Sequence, residues 1–266
     1  MYSYTFATAE VADVTAQSSK PKYIIFSGIH GGEKGGIYNT YNAMKQICER
    51  HAEDVHLEAL KYGVKFIVVP IASPSSYQIG IRKNGNGVDI ARNFPTGWVL
   101  GSDPSAETYG GAAPADQGET KLLVALMEQN SDALCFASHH NFTNPDYIAW
   151  ISARSDAHLN MSKSLIIGET IKAKRAYSWM PQTDDYYIGY TSRGSSGAGM
   201  EASHSTALGM YGATVEVGMR NPWEAGTPTY SSNFATIACQ FFINYLLISL
   251  DSAVKFNERK YEYYHG

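Results

Sequence analysis

Short apolar runs alternate along this chain with longer stretches in which apolar residues recur every three or four positions. Lys22–Ser27 is almost continuously apolar (Tyr23, Ile24, Ile25, Phe26) and reads as a buried strand. Residues 37–60 place Ile37, Tyr41, Met44 and Cys48 at helical spacing, with Gly63 as the stop signal. Residues 64–69 read as the next strand. Gly118–Gln129 reads as a helix, 133–137 and 147–151 as strands, 159–174 as a helix, 213–217 as a strand, and 234–250 as a closing buried helix. Residues 73–119 and 177–210 are irregular in pattern. The first of these is rich in Gly, Pro, Ser and Asn, and a long irregular stretch inside a compact domain is often functional.

Strands alternating with helices predict an α/β fold with a mainly parallel sheet covered on both faces. No composition break divides the 266 residues, so a single domain over residues 1–266 is expected. Open sheets of this kind bind ligands at the carboxyl ends of their strands. His30 follows the end of one predicted strand, His139 and His140 follow another, and Glu216 lies at the end of a third.

The segment Ser27-Gly28-Ile29-His30-Gly31-Gly32-Glu33 carries the candidate chemistry. A His and a carboxylate three positions apart can hold one metal ion where the chain turns into a helix. The glycines are expected to allow that turn and to keep the space over the metal open. A catalytic zinc site usually takes three protein ligands. The third is expected from Ser138-His139-His140, whose two imidazoles point to opposite faces if the strand continues, so that only one of them binds. Glu216 stands among apolar neighbours, where a charge is costly without a partner or a task.

Charge and composition narrow the partners. The net charge is -4 at pH 7 and no long basic run occurs, which argues against nucleic acid. Residues 234–250 contain Gln240 and Asn244 and are short for a membrane span. Cys48, Cys135 and Cys239 lie far apart in apolar contexts and read as buried free thiols. Met1 to Thr5 has neither a basic nor an apolar leader region, so no signal peptide is expected in this chain. The compartment stays open between cytoplasm and export as part of a larger protein. His51, His56, His158, His204 and His265 read as surface residues, and Asp184 and Asp185 as loop acids that could meet a substrate amine.

The ordered set resembles the zinc carboxypeptidase family, the carboxypeptidase A-like metallopeptidases. His30-Gly31-Gly32-Glu33 is similar to its His-x-x-Glu pair, the stretch from Arg82 to Phe94 to its substrate-binding segment, and Tyr109-Gly110-Gly111 with Glu119-Thr120 to its next block. Ser138-His139-His140 fits its later histidine, with a polar residue two positions before the ligand. The resemblance spans roughly residues 22 to 220 and implies a mixed, twisted sheet with helices on both faces. It also implies one zinc ion held by His30, Glu33 and His140, with His139 left as a core or supporting residue. Glu216 would be the general base that takes a proton from the attacking water and passes it to the leaving amine. Arg92 would pair with the substrate's terminal carboxylate, and Arg82 would contact substrate or the oxyanion. The implied activity is hydrolysis of a peptide or γ-glutamyl amide bond. The run Arg82-Lys83-Asn84-Gly85-Asn86-Gly87-Val88-Asp89 is similar to the short bacterial branch that trims cell-wall peptides.

Three departures bear on specificity. Ala91 stands where the family usually has Asn before the carboxylate-binding arginine. Ala72-Ser73-Pro74-Ser75-Ser76 replaces an Asn-Pro-Asp-Gly turn, and the family's mobile tyrosine has no clear match, with Tyr186, Tyr187 and Tyr190 as substitutes. Two other readings remain. An N-acyl amino acid deacylase of the succinylglutamate desuccinylase or aspartoacylase type shares the ligands and base, but those relatives usually carry a β-rich domain after the base, where only 50 residues follow here. A non-catalytic binding module would account for Ala91 and the unmatched tyrosine.

Overall fold

The computed structural model describes residues 9–11, 20–142, 149–153 and 199–218, together with helical positions 239, 242–247, 249–251 and 253–254. The described strands are β1 (Ala9–Val11), β2 (Lys22–Ser27), β3 (Lys65–Val69), β4 (Cys135–Phe142), β5 (Ala149–Ala153) and β6 (Tyr211–Gly218). They form one six-stranded sheet in the order β1-β3-β2-β4-β6-β5. The central four are mutually parallel, while β1 on β3 and β5 on β6 are antiparallel. The expected mixed, mainly parallel sheet is therefore the observed one.

Strand periodicity sorts the core into two layers. Tyr23, Ile25, Phe66, Val68, Cys135 and Ala137 face helices α1 (Lys34–Glu49) and α2 (Val55–Gly63) and the helical residues Phe242, Tyr245 and Leu246. Ile24, Phe26, Ile67, Val69 and Phe136 face the opposite way, against Leu123 and Met127 of α4 (Gly118–Gln129) and Ala202 of α5 (Glu201–Ala207). Both faces of the central strands are thus dry, which is why their sequences are nearly continuous in apolar residues rather than alternating.

Several boundaries differ from the sequence pattern. The single helix expected over 37–60 is two helices, separated by a 3-10 turn at His51–Glu53. Asp54 adopts extended backbone and accepts a hydrogen bond from the His56 N–H, so it caps a new helix and ends the old one. The buried stripe of α1 runs through Ile37, Thr40, Met44 and Ile47, while Tyr41 is 60% exposed. α3 (Pro74–Ile79) and α5 lie in stretches read as irregular. The Pro74 that marks a turn sits in the first turn of α3, where a missing N–H costs nothing. β4 runs through polar Ser138, His139, His140 and Asn141, because it pairs with β6 along its whole length. The expected helix over 159–174 lies outside the described residues.

Candidate metal centre

β2 ends at Ser27, and the chain turns at Gly28, whose φ of 64° is the left-handed region that favours glycine. The backbone then passes against α3. Gly31 donates its N–H to the Ile81 carbonyl at 2.9 Å, and a Cβ at Gly31 would fall inside the backbone carbonyl group of Ser76. The glycines at 31 and 36 are thus required by close backbone approach, with neither at positive φ. A Cβ at Gly36 would lie 2.7 Å from the His139 carbonyl oxygen, so its absence lets the start of α1 seat against the end of β4. This seating carries Glu33, the residue preceding α1, to the two imidazoles.

Glu33 occupies the N-cap of α1, but its carboxylate makes no cap hydrogen bond. It reaches back instead. His30 Nδ1 lies 2.6 Å from Oε1 and His140 Nδ1 lies 2.8 Å from Oε2. One donor atom from each of the three residues lies within 4.8 Å of the others. The outer nitrogens are also held. His30 Nε2 is 3.0 Å from Asp89 Oδ1, and His140 Nε2 is 2.9 Å from Ser138 Oγ and 3.1 Å from Glu201 Oε1. Holding Nε2–H on a carboxylate fixes the tautomer that presents the Nδ1 lone pair inward. Two imidazoles and a carboxylate with their outer atoms tied back form a donor set that suits zinc.

His139 is not part of this set. Its Nδ1 is 2.9 Å from Thr40 Oγ1 and its ring stacks on Phe242 at 4.0 Å, on the opposite face of the sheet from His140. Burial, with the charge of His140, lowers its pKa to about 3, so it is a neutral core residue. The pattern is reversed at His30 and His140. Burial opposes charge on His30 and His140, but Glu33 with Asp89 at the first, and Glu33 with Glu201 at the second, outweigh it and raise both. Burial likewise opposes charge on Glu33, yet the two imidazoles hold its carboxyl well below the ordinary range.

With both imidazoles shifted toward the protonated form, a cation entering this pocket would displace protons. Zinc uptake near neutral pH should release protons, and zinc affinity should rise with pH until the imidazoles are deprotonated. Calorimetric zinc titrations in two buffers of different ionisation enthalpy check this. Equal heats in both would mean that no proton is displaced.

Glu216 faces the same centre from β6. It is in register with His140 of β4 and is partly buried. Burial and the charge of Glu33 raise its pKa to about 7, against the pull of His140, His30 and Arg82. Arg82 donates from Nε and Nη2 to Asp89 Oδ2 at 3.0 and 2.7 Å. This leaves Nη1, which stands 3.5 Å from His30 Nδ1 and 3.9 Å from Glu33 Oε1, directed at the His30–Glu33–His140 cluster. Arg92 closes a 3-10 turn over Ile90–Arg92, and its Nη1 donates to the Ala91 carbonyl at 3.1 Å. Among the described residues no carboxylate is in contact with its guanidinium. The methyl of Ala91 is fully buried in the apolar layer with Ile90 and Phe94.

A buried polar lattice holds the 82–94 segment. Asn93 donates to Gly110 O, Ala113 O and Asp116 Oδ1, and Asp89 N–H donates to Tyr109 O. Fully buried Glu119 accepts from Ser75 and Asn84. The Tyr109 and Glu119 blocks noted in the sequence are thus supports for the site.

Some residues fall elsewhere than expected. His204 is buried, with Nδ1 2.9 Å from Thr96 Oγ1, because α5 packs inward, so it is not a surface residue. His56 is exposed beside Asp54, and His51 is engaged by Lys61 and Tyr62. Cys135 and Cys239 are buried and Cys48 half-buried, all three as thiols. His158, His265, Asp184, Asp185, Tyr186, Tyr187 and Tyr190 lie outside the described residues. Asp89 and Glu201 were given no role by the sequence. Asp89 lay within a quoted motif, whereas nothing in the pattern around Glu201 marks it. No described helix is long and apolar enough to cross a membrane.

Comparison with known proteins bears on this geometry. Residues 4–222 match the family model described as zinc carboxypeptidase. Metallocarboxypeptidase A of Trichophyton tonsurans is 26% identical over 153 residues, covering 51% of this chain and 34% of that protein. Murein peptide amidase A of Escherichia coli K12 is 26% identical over 136 residues, covering 46% of this chain and 50% of that protein. The alignments thus span from a third to half of the length of these relatives. The crystal structure of thrombin activatable fibrinolysis inhibitor superposes with a TM-score of 0.76 at 18% identity, covering 95% of this chain and 66% of that one. Carboxypeptidase A from Helicoverpa armigera gives a TM-score of 0.71 at 16% identity, with 94% and 65% covered. At such identities the likeness is one of fold.

Proposed function

Because the chain belongs to the zinc carboxypeptidase family, we propose that it is a zinc-dependent hydrolase of peptide or γ-glutamyl amide bonds, with His30, Glu33 and His140 as ligands. The observation that carries this reading is the approach of both imidazole Nδ1 atoms to the two oxygens of Glu33, at 2.6 and 2.8 Å. Bound zinc would supply an acidified water and polarise the scissile carbonyl. Glu216, with a pKa near 7, can accept a proton from the attacking water and return it to the leaving nitrogen. Arg82 Nη1 is the donor best directed at a developing oxyanion. Arg92 has a fork suited to a substrate carboxylate. The buried methyl of Ala91 offers that carboxylate no second donor, so Arg92 would hold it with less help than the family pattern provides.

For the substrate class we favour a short bacterial cell-wall peptide. The support is the similarity to murein peptide amidase A over half of that protein. Both apolar layers share one sheet, which fits a single catalytic domain. The deciding experiment is zinc quantification followed by mass-read cleavage of three panels: peptides with a free carboxyl terminus, the same peptides amidated, and γ-glutamyl muropeptides. Stoichiometric zinc and chelator-sensitive cleavage of carboxylate-bearing substrates are expected. Equal cleavage of amidated peptides would remove Arg92 from its role. Zinc-loaded protein inert on every peptide would overturn the proposal, and turnover of N-acyl amino acids alone would replace it with the deacylase reading.

A further inference from the structure

The two histidines of the centre are supported in different ways. Asp89, behind His30, is itself paired with Arg82 and accepts the Ala91 N–H on Oδ1. Glu201, behind His140, is fully buried at the start of α5, and its Oε1 meets His140 Nε2 at 3.1 Å and the Thr214 hydroxyl at 3.4 Å. Its Oε2 is buried with no hydrogen-bond partner. Among the described residues no lysine or arginine pairs with Glu201, and His140 is its only ionic partner. A buried carboxylate without a cation is expensive. The positive charge that would compensate this one is on the far side of the imidazole, where zinc and His140 would act as one cationic unit.

We infer that Glu201 is a positioning residue for the metal centre, holding His140 with its proton on Nε2 and its Nδ1 lone pair toward zinc, and adding negative charge that tightens the metal. This rests on His30, Glu33 and His140 being the zinc ligands. Nothing in the reaction requires Glu201 to touch substrate. Its contribution passes through His140, as outer carboxylates commonly act on metal-bound histidines.

The readout is zinc affinity, measured by competition with a chromophoric chelator on wild type and Glu201→Gln, which keeps the size and one acceptor but removes the charge. The dissociation constant should rise about 10–100-fold. A folded Glu201→Gln protein with unchanged zinc affinity would overturn the assignment while leaving the proposed hydrolase intact. Wild type that binds no zinc would overturn both. If Glu201→Gln fails to fold, nitrogen NMR of zinc-loaded wild type and Ser138→Ala decides. A His140 Nε2 proton moved strongly downfield, as a charged acceptor moves it, and unchanged in Ser138→Ala supports Glu201 as its acceptor. An unshifted Nε2 proton, or one whose shift disappears in Ser138→Ala, overturns it.

Discussion

Glu216→Gln should keep its zinc and its thermal midpoint while kcat falls by about 10²–10⁴-fold. The amide has the shape of the carboxylate and loses only the ability to take a proton. The pH profile should change with it. Burial is the main cause that pushes Glu216 up to about 7, and His140, His30 and Arg82 pull the other way. Glu216 can accept a proton only when ionised, so wild-type activity should rise as pH climbs through its pKa. Zinc bound at the proposed centre would add positive charge beside it and would move that acid limb to lower pH. The limb should be missing from the residual activity of the variant. Steady-state kinetics across pH 5 to 9, with metal content measured on the same samples, check both points. An unchanged kcat would remove Glu216 from the base role.

Among the described glycines, Gly31→Ala should be one of the most damaging single-methyl additions. The added carbon would enter the backbone of Ser76, and no side-chain rotation can relieve a clash with backbone. Either α3 shifts, which breaks the Gly31 N–H to Ile81 carbonyl bond, or the His30 turn shifts and separates the imidazoles. A stability loss of at least about 3 kcal/mol is expected, together with loss of zinc binding. The comparison is Gly63→Ala at the end of α2, where an added Cβ meets nothing within 4 Å. That change should be neutral or stabilise by up to about 1 kcal/mol. Denaturant melts of the two variants, with zinc stoichiometry, separate them. If Gly31→Ala melts with wild type and retains zinc, the close approach is not a constraint.

Much of the centre was legible because its parts lie at strand ends. An apolar run followed by His30-Gly31-Gly32-Glu33 locates a strand, a turn and two donors in a few residues. The choice between His139 and His140 was legible only with the family pattern. In the fold it follows from strand alternation, which sends His139 to Phe242 and His140 to Glu33 and Glu201. The break at Asp54 is not visible in the pattern, since apolar residues stand at helical spacing on both sides of it, Met44 and Ile47 before and Leu57 and Leu60 after. α5 was missed because Glu201, Ser203, His204 and Ser205 are polar in sequence and buried in the fold.

The sequence by itself determined the alternation of the central strands with helices, their two-sided burial, and the His30–Glu33 pair, because those depend on residue type and on spacing over a few positions. Tertiary structure alone decided which carboxylates stand behind the histidines, why Gly31 and Gly36 must lack a side chain, and that His204 is inside. Each of these depends on segments distant in the chain meeting: α3 against the His30 turn, α1 against β4, and α5 against the far side of His140. Periodicity reports which face of an element is buried, but not what it is buried against.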